Sequence, residues 1–306
     1  MTGMNGGADG GANGGAHSAD QPEAAAVTRE PFRFALPGAD IRGDAWIPPD
    51  PVPGPAIIVC HGFKGFKDWG FFPFVARELA ARTACLTVSF NFDGAGVRES
   101  TEVFDDLEAF AHNTFSRELT DLEGVMDGLA AGRLGTTAVP ATSTFGLLGH
   151  SRGGATCVLK AAVRSQVRAL VTWSAIASVI RYTEMFAEQW DSGEPVRIPN
   201  ARTGQEMPLY RNVLDDVRAN RERLDVLAAA AQLEIPYLIV HGTEDESVPL
   251  DDANTLAETA TDARLEAIEG TGHTFGAGHP FAGPNPDLEH AIAATAAHFT
   301  RVFDRS

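Results

Sequence analysis

The pentapeptide Gly149-His150-Ser151-Arg152-Gly153 places a serine between two glycines in the pattern G-x-S-x-G. A serine hydroxyl becomes a strong nucleophile when a base takes its proton, and this pattern presents the serine on a sharp strand-to-helix turn. An apolar run, Thr144–Leu148, precedes the turn, and a helix-like segment, Ala155–Val163, follows it. Glycines two positions either side leave room for the facing strand and helix. The sequence therefore predicts a nucleophile at Ser151.

An acid and a histidine follow Ser151 in the chain order that such a turn requires. Asp245 comes after the predicted strand Pro236–Val240, and His273 comes after the next predicted strand, Arg264–Ile268, between flexible glycines. We expect His273 to act as general base and then general acid, and Asp245 to orient the imidazole. Four neighbouring acids are alternatives to Asp245: Glu244, Glu246, Asp251 and Asp252.

Two backbone N–H groups must stabilise the negative charge that develops when a serine attacks a carbonyl. One is expected from Arg152, directly after the nucleophile, and the other from Phe63, in the glycine-rich loop 61–70 that follows an apolar strand. The aromatic residues of this loop either wall a substrate cavity or anchor the loop to the core. Its lysines, Lys64 and Lys67, are expected to be solvated charges, with attraction of an anionic group as the alternative. Two histidines that directly follow buried strands are expected to be structural: His61 and His241.

The order of predicted elements indicates an α/β fold. Continuous apolar strands alternate with helices, which predicts a doubly wound, mostly parallel sheet, with an antiparallel pair at Phe32–Leu36 and Ile41–Ile47. The connection between Trp173 and Ile235 is too long for a plain crossover, so we expect a small inserted lid at about residues 176–232. A single helix, Val213–Ala231, is predicted to lead back from it. Residues 28–306 form one domain in this interpretation, and the Gly/Ala-rich residues 1–27 a disordered tail.

Composition excludes several classes of function. The net charge of −17 argues against nucleic acid and anionic membranes as partners, and no apolar run reaches the roughly 18 residues that span a bilayer. The three cysteines lie in apolar segments without paired spacing, which favours buried thiols in a reducing cytoplasm over disulfides or a zinc site. The N-terminus has no basic and apolar regions of a signal peptide. The chemistry at Ser151 requires no metal and no cofactor.

Taken together, these residues resemble the α/β-hydrolase superfamily over Phe32–Phe303. The motifs that carry the resemblance are His61-Gly62-Phe63-Lys64-Gly65, Asn91-Phe92-Asp93-Gly94-Ala95-Gly96, Gly149-His150-Ser151-Arg152-Gly153-Gly154, Asp245 and His273. The first two look most like the branch of bacterial feruloyl-type esterases and serine aminopeptidase-like hydrolases. That resemblance implies a serine esterase with a short helical or hairpin lid, and it supports Phe63 and Arg152 as oxyanion donors.

Three functions remain open at this point. The first is hydrolysis of a small carboxylic ester through an acyl-enzyme. The second is a serine peptidase or amidase, and an aminopeptidase would need a lid carboxylate to bind the substrate ammonium, for which Glu184, Glu188 and Asp191 are available. The third is a binding protein that keeps the fold without useful turnover. Acyl specificity and oligomeric state are not determined by these patterns, because loops and lid build the cavity walls.

Overall fold

The computed structural model describes residues 26–52, 54–100 and 102–304 of the chain. The prediction of a disordered tail falls almost entirely on residues 1–25, which lie outside the described part. In chain order the elements are β1 (Thr28–Leu36), β2 (Ala39–Ile47), β3 (Pro55–Cys60), α1 (Phe72–Thr83), β4 (Leu86–Asn91), α2 (Leu107–Ala111), α3 (Phe115–Ala130), β5 (Arg133–Leu134), β6 (Thr137–Ala138), β7 (Thr144–His150), α4 (Arg152–Ala161), β8 (Val167–Trp173), α5 (Val179–Glu184), α6 (Ala187–Asp191), β9 (Val196–Asn200), β10 (Gln205–Leu209), α7 (Asn212–Ala219), α8 (Val226–Ala231), β11 (Tyr237–Gly242), α9 (Leu250–Thr259), β12 (Ala263–Ile268) and α10 (Pro286–Phe303).

Within the described residues, eight strands form the central sheet in the order β1-β2-β4-β3-β7-β8-β11-β12. The pairs β1–β2 and β2–β4 are antiparallel, and every later neighbour pairs in parallel. The predicted doubly wound, mostly parallel α/β fold is therefore confirmed, including its antiparallel start. Because the parallel strands all end at one edge, the loops after β3, β7, β11 and β12 meet there.

The sheet is buried on both faces, as the continuous apolar strands predict. One core cluster packs α3, α4, α8 and α9 against the sheet, and the other packs α1 and α10 against its opposite face. All residues of β4 and β11 are buried. The fully buried side chains of Phe145, Leu170 and Ile239 belong to three neighbouring strands of this core. A rigid sheet of this kind fixes the strand ends that carry the loops described below.

The long connection between β8 and β11 contains four helices, α5–α8, and a separate β9–β10 hairpin. A third apolar cluster packs this insertion against α2 and against Phe66 of the loop after β3. The predicted single helix Val213–Ala231 is wrong, because α7 ends at Ala219 and α8 starts at Val226. Asn220 donates to the carbonyl of Asp216, and the Asp225 carboxylate accepts from the N–H of Ala228. These polar residues cap two helices where the sequence pattern indicated one.

No helix in the described residues combines the length and the apolarity needed to cross a membrane. The three cysteines, Cys60, Cys85 and Cys157, are free thiols and all are buried. The prediction of buried core thiols is therefore confirmed, and each packs within one of the two sheet clusters.

Candidate active site

Ser151 occupies the turn between β7 and α4, as predicted. Its backbone lies in the left-handed region, with φ 56° and ψ −121°, a conformation that costs free energy for a residue with a side chain. The N–H of Ser151 donates to the carbonyl of Trp173 in the adjacent strand, at 2.8 Å. Helix α4 begins at Arg152, so Ser151 directly precedes the positive end of the helix dipole.

The two glycines of the pattern are needed because backbones approach closely at this turn. A β-carbon on Gly149 would lie 2.4 Å from the carbonyl oxygen of Gly153. A β-carbon on Gly153 would lie 2.3 Å from the carbonyl oxygen of His61, in the loop after β3. Both distances are well inside van der Waals contact with backbone atoms that cannot turn aside. The glycines thus let the helix, the strand and the loop converge around Ser151, which is the physical basis of the sequence pattern.

Asp245 and His273 are hydrogen-bonded to each other. Nδ1 of His273 lies 2.7 Å from Oδ2 of Asp245, in the loops after β12 and β11. A carboxylate accepts, so Nδ1 carries the proton and Nε2 of the neutral ring is left free to take one. The other oxygen of Asp245 accepts from the N–H groups of Ser247 and Val248, at 2.8 and 2.9 Å. Both oxygens of this carboxylate therefore accept hydrogen bonds, which holds the group in one orientation.

The four alternative acids lie elsewhere. Asp252 is buried, accepts from the N–H of Ala177 at 2.8 Å and pairs with Arg181. Neither Glu244, Glu246 nor Asp251 has a hydrogen bond to His273 within the described residues, and Asp245 is the acid that does. The choice among neighbouring acids therefore follows from the geometry of the loop.

The loops that carry Asp245 and His273 are tied together at their bases. The N–H of Glu244 donates to the carbonyl of Thr271 at 2.9 Å, and the hydroxyl of Thr243 accepts from the N–H of Gly270 at 2.9 Å. A β-carbon on Gly242, the last residue of β11, would lie 2.2 Å from the Thr271 carbonyl oxygen. This close approach brings the acid and the histidine within hydrogen-bond reach.

A second histidine, His241, also contacts Asp245, although its position directly after a buried strand predicted only a structural role. Nε2 of His241 donates to the carbonyl of Val248 at 2.8 Å and lies 3.4 Å from Oδ2 of Asp245. Burial by itself raises the pKa of the Asp245 carboxyl, but its contacts with His241 and His273 and the N–H of Val248 outweigh that effect and hold the pKa well below its usual range. Asp245 is therefore ionised throughout the neutral range.

The imidazole of His150 supports the loop that carries His273. Its Nε2 donates to the backbone carbonyl of His273 at 2.9 Å, and the two ring centroids are 4.7 Å apart. Burial, together with the neighbouring His273, lowers the pKa of His150 to about 3, so it stays neutral. No role for His150 was predicted from the sequence, although its position inside G-x-S-x-G was the available signal. His61 is structural as expected, with its Nδ1–H donated to the Gly62 carbonyl at 2.9 Å.

The loop after β3 lies directly against the serine. A β-carbon on Gly62 would come within 2.9 Å of the Ser151 β-carbon, and the N–H of Gly65 closes a turn onto the Gly62 carbonyl at 3.0 Å. Phe63 and Lys64 are the central residues of this turn. The residue of this turn with a positive φ, 57°, is Lys64. Phe63 is thereby placed beside the nucleophile.

The side chain of Arg152 anchors the start of α4. It is buried, its Nε donates to Oε1 of Glu118 at 2.8 Å, and its guanidinium carbon lies 3.9 Å from the centre of the Phe115 ring. Glu118 also accepts from the hydroxyl of Thr156 at 2.9 Å. This buried network fixes the backbone of Arg152. Among the described residues, no acceptor receives a hydrogen bond from the N–H of Arg152 or of Phe63, so both donors are available.

Two cavities open on either side of these residues. One, of about 420 Å³, lies between the loop after β3 and the turn of the β9–β10 hairpin. It is called the outer cavity here, and its lining includes Lys64, Trp69, Arg202 and His273. The other, of about 380 Å³, lies under the insertion and is called the inner cavity; its lining includes Ser151. Three residues line both: Phe63, Lys64 and His273.

The aromatic residues of the loop after β3 divide between the two roles left open by the sequence. Phe66 is buried in the cluster under the insertion and anchors the loop. Phe63 lines both cavities, and Trp69 lines the outer one, where it stacks on His279 with ring centroids 6.0 Å apart.

Ser151 and His273 line the same inner cavity, and no hydrogen bond joins the Ser151 hydroxyl to the imidazole in this structure. Such contacts are commonly loose without substrate. The described residues contain no group of three or more histidines, cysteines or acids arranged to hold a metal ion. The chemistry on hand is thus that of a nucleophilic hydroxyl, a histidine–carboxylate pair and two backbone donors.

Residues 57–283 match the model of the alpha/beta hydrolase family, and the chain belongs to that family. The resemblance inferred from the motifs is therefore confirmed. A comparison with curated proteins finds no match.

The fold is also similar to solved esterase structures. Est1E from Butyrivibrio proteoclasticus is 19% identical, with a TM-score of 0.65 over 90% of this chain and 98% of that one. Est1E with bound ferulic acid is 21% identical, with a TM-score of 0.67 over 89% and 99% of the two chains. The esterase domain of a Rhodothermus marinus protein is 18% identical, with a TM-score of 0.59 over 90% and 98%. At these identities the likeness concerns the fold.

Proposed function

We propose that the protein is a serine esterase that cleaves carboxylic esters of small molecules through an acyl-enzyme. The observation that carries the proposal is the 2.7 Å hydrogen bond between His273 and Asp245, beside a serine on a strained strand-to-helix turn. Each of the three groups lies on a different loop at the carboxyl edge of the sheet. Such convergence of nucleophile, base and orienting acid favours nucleophilic catalysis.

The reaction follows from the positions of the groups. Nε2 of His273 takes the proton of the Ser151 hydroxyl as its oxygen attacks the ester carbonyl, and the N–H groups of Phe63 and Arg152 stabilise the oxyanion. His273 then gives the proton to the departing alcohol, leaving an acyl group on Ser151. A water molecule then attacks the acyl group in the same way, with His273 taking its proton and returning it to Ser151, and the carboxylic acid is released. Asp245 stays ionised and stabilises the imidazolium in both halves.

The inner cavity suits the acyl part of the substrate. Ser151 and Arg152 open into it, and most of its other walls are apolar or aromatic side chains. Such walls favour an apolar or aromatic acyl group over a charged one. The ferulic acid bound to the structurally similar Est1E is an aromatic acid of this kind, so a feruloyl ester belongs among the first substrates to test.

Charge placement favours an ester over an aminoacyl substrate. An aminopeptidase must bind a substrate ammonium, yet no aspartate or glutamate lines either cavity among the described residues. Glu184 is paired with Arg218 at 2.7 Å, and Asp191 with Arg211 at 2.7 Å. Glu188 is exposed and lines neither cavity. The carboxylates that the peptidase alternative requires are thus bound elsewhere or lie outside the site.

A substrate panel tests this proposal. We expect p-nitrophenyl esters and methyl ferulate to be hydrolysed by the wild-type protein, and aminoacyl-p-nitroanilides to be turned over at least about 100-fold more slowly, because the site has no partner for their ammonium. Ser151→Ala should remove the ester activity. Turnover of the anilides above that of the esters would overturn the proposal in favour of a peptidase.

A further inference from the structure

The outer cavity has an unusual charge for this protein. The chain carries 41 acidic and 24 basic residues, yet none of the outer cavity's lining residues is an aspartate or a glutamate. Two basic side chains, Lys64 and Arg202, line it instead. In a chain with a net charge of −17, a cavity lined by two cations and, among the described residues, by no acid points to a negatively charged ligand.

Lys64 has no partner for its charge. It is half-buried, and within the described residues no carboxylate or carbonyl accepts a hydrogen bond from its ammonium group. Burial without a compensating partner lowers its pKa from the ordinary value. Its neighbour Lys67, by contrast, is bound by Asp44 at 2.7 Å and by Asp68 at 2.5 Å. The loop thus neutralises Lys67 and leaves Lys64, which lines both cavities, without a charged partner among the described residues.

Arg202 is held on the opposite wall by the turn of the β9–β10 hairpin. The side chain of Asn200 accepts from the N–H of Arg202 at 3.2 Å, which fixes the turn. One guanidinium nitrogen donates to the carbonyl of Glu102 at 2.7 Å, and no carboxylate among the described residues pairs with it. The guanidinium is therefore positioned by a neutral acceptor and keeps both its charge and further donors for a ligand.

In the proposed mechanism the leaving group lies beside His273, which lines both cavities, whereas Ser151 and Arg152 line only the inner one and Arg202 only the outer one. The acyl group stays on the serine, and the alcohol receives its proton from the histidine. The alcohol part of the ester therefore extends into the outer cavity, beside Trp69, between Lys64 and Arg202.

We infer that the outer cavity binds a carboxylate on the alcohol part of the substrate, so that the preferred substrates are esters of hydroxy acids. This inference rests on the proposed esterase function and specifies its substrate class. Lys64 supplies a poorly solvated point charge near the reacting bond, and Arg202 supplies a planar donor that suits a carboxylate.

A matched pair of acetate esters tests the inference. 3-Acetoxybenzoate carries the carboxylate on the leaving phenol, and methyl 3-acetoxybenzoate has the same shape around the ester without the charge. The quantity measured is the ratio of kcat/KM for the anionic ester to that for the neutral one, each corrected for its rate of alkaline hydrolysis. We expect a ratio of about 10 or more for the wild-type protein at low salt, because charge-assisted hydrogen bonds stabilise only the anionic ester.

Substitutions at Lys64 and Arg202, with one control variant, test which residues produce this ratio of kcat/KM values. Lys64→Met should lower it about 10-fold, since the lysine is half-buried, and Lys64→Arg should restore most of it. Arg202→Gln should lower it about 3-fold, since the arginine is exposed. Arg197→Gln is the matched control, because Arg197 lies exposed on the same hairpin, lines neither cavity and should leave the ratio unchanged.

The outcomes separate this inference from the proposed function. Hydrolysis of the neutral ester with a wild-type ratio near or below 1, or a ratio that Lys64→Met and Arg202→Gln leave unchanged, overturns the carboxylate site while the esterase stands. Failure to hydrolyse either ester, in protein that is folded by circular dichroism, overturns both. A high ratio that falls in the two variants and persists in the control supports both.

Discussion

Asp245 is the residue whose environment is most completely specified. Its carboxylate contacts two histidines and two backbone N–H groups, and these contacts keep it charged although it is buried. In the proposed mechanism this charge selects the tautomer of His273 and stabilises its protonated form. The role depends on the negative charge and its position, which a neutral amide of the same shape cannot reproduce.

Asp245→Asn should therefore lower kcat for ester hydrolysis about 10³- to 10⁴-fold with little change in KM, because the amide favours the wrong imidazole tautomer. Steady-state kinetics with p-nitrophenyl acetate measures this loss. Asp251→Asn is the control, since Asp251 is exposed at the start of α9 and its change should leave kcat within 2-fold. A kcat for Asp245→Asn within 10-fold of wild type would show that this acid does not orient the base.

The residues of the candidate site could be predicted from the sequence, but the side-chain contacts between its loops could not. Ser151, Asp245 and His273 could be proposed because strand ends and chain order restrict where such groups lie. The contact of His241 with Asp245 and that of His150 with the His273 carbonyl could not, because both depend on how separate loops pack. That no described residue pairs with Lys64 is likewise a property of the folded surroundings.

Among the elements, the start of α4 shows how tightly backbone packing shapes the site. Helix, strand and the loop after β3 meet at Gly153, where a β-carbon would lie 2.3 Å from one carbonyl oxygen and 2.8 Å from another. Room for a methyl group could be made only by moving the helix away from β3. Such a movement would shift both Ser151 and the N–H of Arg152.

Gly153→Ala is therefore expected to destabilise the protein by about 2–4 kcal/mol, through overpacking against backbone. Urea unfolding followed by circular dichroism measures the change. Gly278→Ala is the matched control, because a β-carbon there meets nothing within 4 Å and its φ is not positive, so a change within about 0.5 kcal/mol is expected. Equal stability of the two variants would refute the packing argument.

Helix α3 contains a buried acid that makes stability depend on pH. Oδ2 of Asp121 accepts from the N–H of Asp93 at 2.9 Å, and its other oxygen has no partner within the described residues. Burial raises the pKa of this carboxyl to about 7, with Arg117 opposing the shift and Glu118 adding to it. The folded protein thus binds a proton there that the unfolded chain, with an ordinary pKa of 3.8, has already released. This contribution to stability is present at low pH and is lost as pH rises toward 7.

Asp121→Asn removes that titration. The free energy of unfolding of this variant, relative to wild type, should rise by about 2–3 kcal/mol between pH 5 and pH 8, as the wild-type carboxyl is forced to ionise. Urea unfolding at pH 5, 6.5 and 8 gives the difference at each pH. Asp127→Asn, exposed on the same helix, should give a difference that does not vary with pH. A flat or falling difference for Asp121→Asn would contradict the account.

Elements with strong apolar periodicity were predicted correctly. Elements whose ends are determined by polar capping residues were not. The strands predicted at Ile41–Ile47, Thr144–Leu148, Pro236–Val240 and Arg264–Ile268 agree with β2, β7, β11 and β12 within two residues at each end. Strand β1, by contrast, begins four residues before the predicted Phe32–Leu36. The insertion was located by its length, and the resemblance implied a helical or hairpin lid. The position of the β9–β10 hairpin and the break between α7 and α8 were not predicted. Short elements of this kind are selected by packing on the body of the protein more than by local propensity.

In the molecule as a whole, the side chain of Trp190 helps to hold the insertion together over the sheet. Trp190 of α6 is 2% exposed, and its indole N–H donates to the carbonyl of Leu209 in β10 at 2.8 Å. The same side chain lines the inner cavity. Trp190 thus joins a helix to the hairpin and forms a wall of the proposed acyl site, so the insertion and the inner cavity share their packing.

Trp190→Ala should therefore loosen the insertion, since removing a buried tryptophan costs about 3–5 kcal/mol. We expect limited proteolysis to cut first between residues 176 and 232, and kcat/KM for bulky acyl esters to fall more than that for acetate. Mass spectrometry of the fragments locates the cut. Glu188→Ala, an exposed change on the same helix, should behave as wild type. Uniform cleavage across the sheet in Trp190→Ala would show that the insertion does not unfold on its own.

The proposed mechanism requires Ser151 to be an activated nucleophile. Incubation with a fluorophosphonate probe, followed by intact-mass analysis and peptide mapping, measures this reactivity. We predict one adduct, mapped to Ser151, on the wild-type protein and on Ser165→Ala, which removes an exposed serine away from the site. No adduct should form on Ser151→Ala, and labelling of His273→Ala should be at least about 100-fold slower. A folded wild-type protein that remains unlabelled, or one labelled at a different serine, would contradict the account.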